Sequence, residues 1–416
     1  MQNIKRVCKL LIIISIICSL TGCWDREELE ENAYVIGLGI DHSKLKGKIK
    51  VTMLIANPEV GSVQGGGGST EKPREIISFD ANDFIAAKAT ANSVISRDIS
   101  YELLKVIIVS EEFAKDPNFL PIITSTLKDK EIRLDSYLAV CKEKASEYFL
   151  KNHPRMETRP HKYFQFMIDN GINNGLIPDS TLFRYFSALD RGTDLFMAMY
   201  TTTEIEKSSN FKGEDHYAAG QLNVSGELDK TQFSGSAVFK NGVMVDKLDG
   251  LDTRLINILD DTTDIQDVLV NVPDPFSESD NQLAARVTKT NNNKITMNLN
   301  GVRPKIEITI PLTLTIMSNP SMVNYAKDPE KKNFLKEFIV KDTTALFEKI
   351  QEKTQTELKG SPYPLSLYAR KHFKTNKEFE RFNWAKAYPK ADVTIKPDIV
   401  IEDFGIQKKV LNNKED

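Results

Sequence analysis

The sequence predicts an α+β (mixed α/β) protein of several domains, with mixed sheets flanked by helices. Two patterns predict it. Through the first half, short apolar runs of strand type alternate with segments of helical spacing. In the last third, a long strictly alternating strand is followed by an extended amphipathic helix and a second alternating segment. At 416 residues the chain is long enough for two or three domains.

The N-terminus reads as an address. Lys5, Arg6 and Lys9 precede an uncharged apolar run over 10–20. That run is too short to span a hydrocarbon core, which takes about twenty apolar residues. It ends in Leu20-Thr21-Gly22-Cys23, where small residues before a cysteine match a bacterial lipoprotein-processing site. On this reading 1–22 is a cleaved signal peptide and Cys23 is the lipidation site, its thiol carrying diacylglycerol. The protein is then lipid-anchored and extracytoplasmic. An ordinary secretory signal or a buried N-terminal helix leaves the spacing of Leu-Thr-Gly-Cys unexplained. Two acyl chains, at about 0.8 kcal/mol per buried methylene, give stable attachment where one short chain is marginal.

Cysteine usage agrees. Cys8 and Cys18 leave with the signal and Cys23 is modified, so Cys141 remains alone in an apolar stretch and reads as a small core residue. Loss of the signal leaves 52 basic against 58 acidic side chains, a formal charge of −6. That balance offers no basic face for nucleic acid.

After a short charged stretch at 24–32, residues 34–40 read as a buried strand ended by Asp41, and 48–55 as its hairpin partner. The four glycines at 65–68 make 61–69 a flexible connection; they lack the spacing of a phosphate-binding loop. A short strand at 75–79 precedes a helix over 82–96, with Asp80 or Asn82 as its cap. A strong strand at 105–110, a helix over 117–127 and a strand at 137–141 follow. Helical pieces at 161–170 and 180–189 lead to a strand at 195–205, and the first domain, 23–206, ends there.

The segment 207–216 reads as a linker or mobile loop opening a middle β-rich domain, 207–275. Its clearest feature is a hairpin over 236–245 turning at Asn241-Gly242, the pair that suits a type I′ turn. A short helix at 252–259 and an exposed acidic turn at 260–264 complete it. In the C-terminal domain, 276–416, strands at 284–290 and 294–300 accompany the alternating strand of Ile306, Ile308, Ile310, Leu312, Leu314 and Ile316. The long helix, 329–358, carries Leu335, Ile339, Leu346 and Ile350 on one stripe. Helices near 365–372 and 377–387 lead into a last strand at 393–401.

Residues for chemistry are sparse. His42, His153, His161, His216 and His372 are scattered and form no zinc motif. Asp260, Asp261 and Asp264 lack the turn glycine and terminal glutamate of a calcium loop. Glu111 and Glu112 read as charges complementing a helix N-terminus rather than as an acid and base pair. The expectation is a non-enzyme with no catalytic residues, no cofactor and no metal.

The run Gly22-Cys23-Trp24-Asp25-Arg26-Glu27-Glu28, followed by Val35-Ile36-Gly37-Leu38-Gly39-Ile40-Asp41, resembles the spore germination lipoprotein family of the Ger(x)C type, the C subunits of germinant receptors. The strand 105–110 leading into Glu111-Glu112-Phe113-Ala114, the Phe239-Lys240-Asn241-Gly242 hairpin and the long-helix-then-strand ending extend the resemblance over nearly the whole mature chain. It departs at the glycines 65–68, which look like a local insertion, and at 359–368, which lacks an Asp and paired glycines.

The resemblance implies a three-domain, non-enzymatic receptor subunit on the outer face of the spore inner membrane, with two integral membrane subunits as partners. Of the family's features only the lipid-accepting cysteine, here Cys23, carries a chemical role; Trp24 and Asp25 mark the match without one. It does not require germinant binding by this chain. The alternatives by class are a solute-binding lipoprotein of a transporter and a surface hydrolase.

Overall fold

The computed structural model describes residues 31–56, 74–206, 216–277, 282–301 and 303–403. Cys23, the signal at 1–22, Trp24, Asp25 and the glycines 65–68 lie outside the described residues, as does all but His216 of the segment 207–216.

The first sheet has nine strands among the described residues. Strand β1 (Asn32–His42) pairs antiparallel with β2 (Ile49–Ala56), which pairs antiparallel with β3 (Arg74–Ala81). On the other side of β1 lie the short parallel strand β4 (Asp98–Ser100) and then β5 (Val106–Ser110). Parallel strands β6 (Tyr137–Cys141) and β7 (Phe196–Thr202) follow, and the antiparallel hairpin β8 (Gln232–Lys240) and β9 (Val243–Leu248) closes the far edge. The parallel centre is buried on both faces, which explains the unbroken Val-Ile-Ile-Val of β5: Ile107 and Val109 join one core, Val106 and Ile108 the other. Cys141 lies in the second of these cores, fully buried, and burial raises its thiol pKa well above the usual range.

Helices cover both faces. Phe84–Ala91, Phe119–Thr124 and Leu182–Arg191 pack on one, Ala145–Lys151 and Pro160–Asn173 on the other. The cap of the first is Asp83, whose carboxylate accepts from the Ala86 amide at 2.8 Å. It is not Asp80 or Asn82: Asp80 is held in β3 opposite Lys50, where its backbone is committed to the ladder. That helix also stops at Ala91, leaving Val94 exposed.

β1 sets the geometry of this sheet. A bulge between Val35 and Gly37 re-aims the strand, so that Gly37 and Gly39 face the ring of Phe149. A Cβ on Gly37 would stand 2.9 Å from that ring, and one on Gly39 would crowd Thr52, Ala145 and Phe149 at 3.0 to 3.1 Å. Asp41, 1% exposed, ends the glycine run. Its two carboxylate oxygens accept from the amides of Ala145 and Ser146 at 2.7 and 2.9 Å, so a residue more than a hundred positions away in sequence caps the helix Ala145–Lys151.

The second sheet holds β10 (Val268–Pro273), β11 (Gln282–Lys289), β12 (Lys294–Asn298), β13 (Lys305–Ser318) and β14 (Asp392–Asp403). β11 and β12 pair end to end along one side of β13, and β14 runs parallel along the other. The alternate residues from Ile306 to Ile316 are all buried beneath the 28-residue helix Pro329–Thr356, which Asp328 caps through the Lys331 amide at 3.0 Å. Leu335, Ile339 and Ile350 are buried on its inner stripe together with Phe347, while Leu346 is half-buried.

Hydrogen bonding divides the chain differently from the three-domain reading. β8 pairs along β7, so the first sheet runs across residue 206. The hairpin belongs to that sheet and β10 to the second, so 207–275 has no sheet of its own among the described residues. The pattern of the segment shows strands but not which edge they extend.

Two substitutions test the role of β1. Asp41→Ala removes the partner of two buried amides and is expected to cost about 2 kcal/mol or more. Gly39→Val forces bulk against three neighbours at an expected cost of about 1–3 kcal/mol. Urea denaturation measures both, and unchanged midpoints would refute the account.

Candidate functional site at the junction of the two sheets

The described residues contain no group of three His, Cys, Asp or Glu side chains able to hold a metal ion. Glu111 and Glu112 open the short helix Glu111–Ala114. Glu111 accepts from the Lys115 ammonium and the Tyr200 hydroxyl, with Lys247 at 3.9 Å. Burial opposes its charge, but these donors hold its pKa below the usual value. Burial together with the Glu111 carboxylate pushes Tyr200 upward. The arrangement is a satisfied ion network.

One set of polar contacts lies where the two sheets meet. Lys240, just before the Asn241-Gly242 turn, donates to the carbonyls of Leu358 and Lys359 at 3.1 Å each, placing a cation at the C-terminal end of the long helix. Asn241 and Gly242 both have positive φ, 52° and 82°, as a type I′ turn requires. The Tyr185 hydroxyl donates to the Gly242 carbonyl at 2.8 Å and anchors the turn.

The turn at 260–264 is not the exposed acidic turn that its composition predicts. Asp260 is 6% exposed and accepts from Arg184 Nη1 at 3.0 Å and from the amide and hydroxyl of Thr262 at 2.9 and 2.6 Å. Asp261 accepts from Lys289 Nζ at 2.8 Å, the Asn293 amide at 2.9 Å and the Tyr368 hydroxyl at 3.1 Å. The partners of these two carboxylates lie as many as 107 positions away. Neighbouring sequence therefore carried no sign that the charges would be neutralised and buried. Asp264 alone of the three is exposed.

Beside this turn, Asp194 precedes β7. Its Oδ2 accepts from Arg191 Nε at 2.8 Å and from the Ser366 hydroxyl, and Leu195 N donates to the Ser361 carbonyl at 2.8 Å. Ser361 and Ser366, in the segment 359–368, thus tie the C-terminal unit to the first sheet. Burial raises the Asp194 pKa, outweighing Ser366 and Arg191. A cleft of 460 Å³ opens here between the helix Leu182–Arg191, the turn at 260–263 and residues 362–367. No sequence motif marks it.

Comparison with known proteins adds a family to this geometry. Residues 25–202 match the spore germination protein N-terminal domain, and residues 234–405 match the spore germination B3/GerAC-like C-terminal domain. The chain belongs to the spore germination protein family of the Ger(x)C type.

Among Ger(x)C relatives, spore germination protein B3 of Bacillus subtilis (strain 168) is 19% identical over 96% of this chain and 99% of its own length. Spore germination protein GerQC of Bacillus cereus is 23% identical over 80% of this chain and 86% of its own. Spore germination protein KC of Bacillus subtilis (strain 168) is 26% identical over a shorter stretch, 35% of this chain and 36% of its own. The crystal structure of the GerBC protein shares the fold, with a TM-score of 0.52 at 15% identity over 91% of this chain and 99% of that one. Within this Ger(x)C chain the resemblance motifs acquire structural roles. Gly37, Gly39 and Asp41 seat a helix on β1, and Phe239-Lys240-Asn241-Gly242 joins the first sheet to the long helix.

Two predictions concern the junction. The pair Arg184→Met and Asp260→Asn, combined in a double-mutant cycle, is expected to show coupling of about 1–3 kcal/mol in urea denaturation; strict additivity would show that the contact does not join the units. The raised native pKa of Asp194 means that its proton-linked stabilisation is complete below the ordinary carboxylate range and is lost as pH rises through the raised value. Asp194→Asn lacks that term, so the stability of wild type minus variant falls with rising pH across the carboxylate range. A difference that rises instead would show that the Arg191 pair outweighs burial.

Proposed function

We propose that this chain is a non-enzymatic lipoprotein subunit of a spore germinant receptor, tethered at the outer face of the spore inner membrane by diacylglycerol on Cys23. It assembles there with two integral membrane subunits to trigger germination. The observation that carries this reading is Leu20-Thr21-Gly22-Cys23-Trp24-Asp25 at the head of a chain that matches both spore germination domains. No helix among the described residues is long and apolar enough to cross a membrane, which is consistent with attachment through lipid.

The physical logic is concentration. A folded body held at the membrane surface meets its membrane partners at high effective concentration, so contacts too weak to form a complex in solution suffice for assembly. Two acyl chains supply the residence time that one does not.

Cys23→Ala is expected to abolish labelling by radioactive palmitate, to move the protein from the membrane fraction to the soluble fraction of spores and to depress germination. Retention on the membrane with normal germination would refute the tether. Affinity purification from spores separates this reading from a transporter's solute-binding lipoprotein: integral receptor subunits co-purify on the first, an ATP-driven transporter on the second.

A further inference from the structure

The connections that lead into three strands of the first sheet each expose an apolar side chain. Val94 stands in the connection 92–97 before β4, Leu103 in 101–105 before β5, and Leu127 and Leu134 in 125–136 before β6. They are 76%, 48%, 50% and 39% exposed. All lie at one end of the sheet, because β4 and β5 run parallel to β1 and β6 runs parallel to β5.

Hydrogen bonds draw these connections into one rim. Ser136 Oγ donates to the Leu104 carbonyl at 2.8 Å, and the Leu182 amide donates to the Ser136 carbonyl at 2.9 Å. The Phe183 amide donates to the Leu134 carbonyl at 2.9 Å, which adds a ring that is 62% exposed. Lys128, Lys130 and Arg133 are exposed here, but so are Asp98, Glu102 and Asp135. The rim therefore has no strong charge of either sign, and what it offers is apolar surface. A groove for a helix or peptide needs anchors set along one line. Side chains carried singly on separate connections suit a flat, fluid interface instead.

The chain enters the fold at this same end, where Asn32 pairs opposite Asp98. Residues 24–31 separate Cys23 from β1, a stretch that reaches at most about 30 Å even when fully extended. The far end of the 11-residue β1 lies about 35 Å along the strand, at about 3.3 Å per residue. A lipid on Cys23 thus favours the rim over the opposite end of the sheet as the part beside the bilayer.

We propose that the rim is a membrane-contacting face, with Val94, Leu103, Leu127, Leu134 and Phe183 entering the headgroup region of the bilayer. The strands β1, β5 and β6 then start at the membrane and run away from it. This inference takes its direction from the tether at Cys23.

Environment-sensitive nitrobenzoxadiazole labels on single introduced cysteines test it; Cys141, fully buried, does not compete. The full chain is expressed with its leader and reconstituted through its lipid into phosphatidylcholine vesicles. A second preparation, with Cys23 replaced by a hexahistidine tag on nickel-chelating lipid, gives the same reading without acylation. Nitroxide-bearing lipid is expected to quench labels at Leu134→Cys and Phe183→Cys about twofold or more beyond its effect at Leu45→Cys, which follows the far end of β1 and is 56% exposed. If one of the two rim variants lacks the wild-type circular dichroism spectrum, the other decides. Equal quenching at rim and far end in both preparations overturns the face and leaves the tether standing. Quenching in the tagged preparation, with no lipid found on Cys23, removes the tether and supports the face. Labels shielded in spore membranes but unquenched on the vesicles would assign the rim to a protein partner and overturn the proposal.

Discussion

The first sheet is organised around the contact between β1 and the helix Ala145–Lys151. A carboxylate at the end of the strand receives the first two amides of the helix, and two glycines earlier in the strand leave room for the Phe149 ring of the same helix. Each half of the contact needs the other. The ring cannot approach without the missing Cβ atoms, and Asp41 can be buried at 1% exposure only because amides complete its oxygens. With the helix seated, Tyr148 and Phe149 fill the core on that face. The crossover from β6 can then return to β7, which is parallel to β6.

The second unit is attached to the first through a mixed surface. Leu195, Met197, Val238 and Leu248 of the first sheet share a core with the strands and long helix of the second, so apolar burial supplies the area. Register comes from polar contacts around it: Lys240 on the end of the long helix, Arg184 on Asp260, and Asp194 on Ser366. Buried ion pairs add little net stability over apolar packing, yet breaking one leaves a bare charge, so they select one docking geometry over its neighbours. A cleft lined by the same charged residues, Asp194, Arg184 and Asp260 among them, lies at that junction.

Much of the fold was legible because the periodicities are long and clean. The alternation from Ile306 to Ile316 predicted β13 and its buried face, and the strand at 137–141 appears with those bounds. Two residues suffice to predict the Asn241-Gly242 turn, because few pairs tolerate positive φ twice in succession. The spacing of Val94 and Ile95 predicts a helix running on to 96, whereas the backbone leaves the helix after Ala91. The junction was not legible. Asp194, Arg184 and Ser366 are ordinary polar residues in sequence, and Asp260 and Asp261 were expected in solvent because a cluster of like charges is costly to bury unless distant partners arrive.

The sequence alone determined the longer strands and helices, the apolar run before Cys23 and the pattern of Trp-Asp and Gly-Leu-Gly-Ile-Asp, because these depend on local periodicity and short-range spacing, whereas the short strands β4 and β10 and the helix Ala145–Lys151 carry too little of either. Tertiary structure alone decided that the hairpin β8–β9 completes the first sheet, that Asp41 caps a remote helix, and that scattered carboxylates converge on a cleft. The physical reason is reach: hydrophobic period is written within a few residues, whereas the partner that neutralises a buried charge stands wherever the chain's return places it.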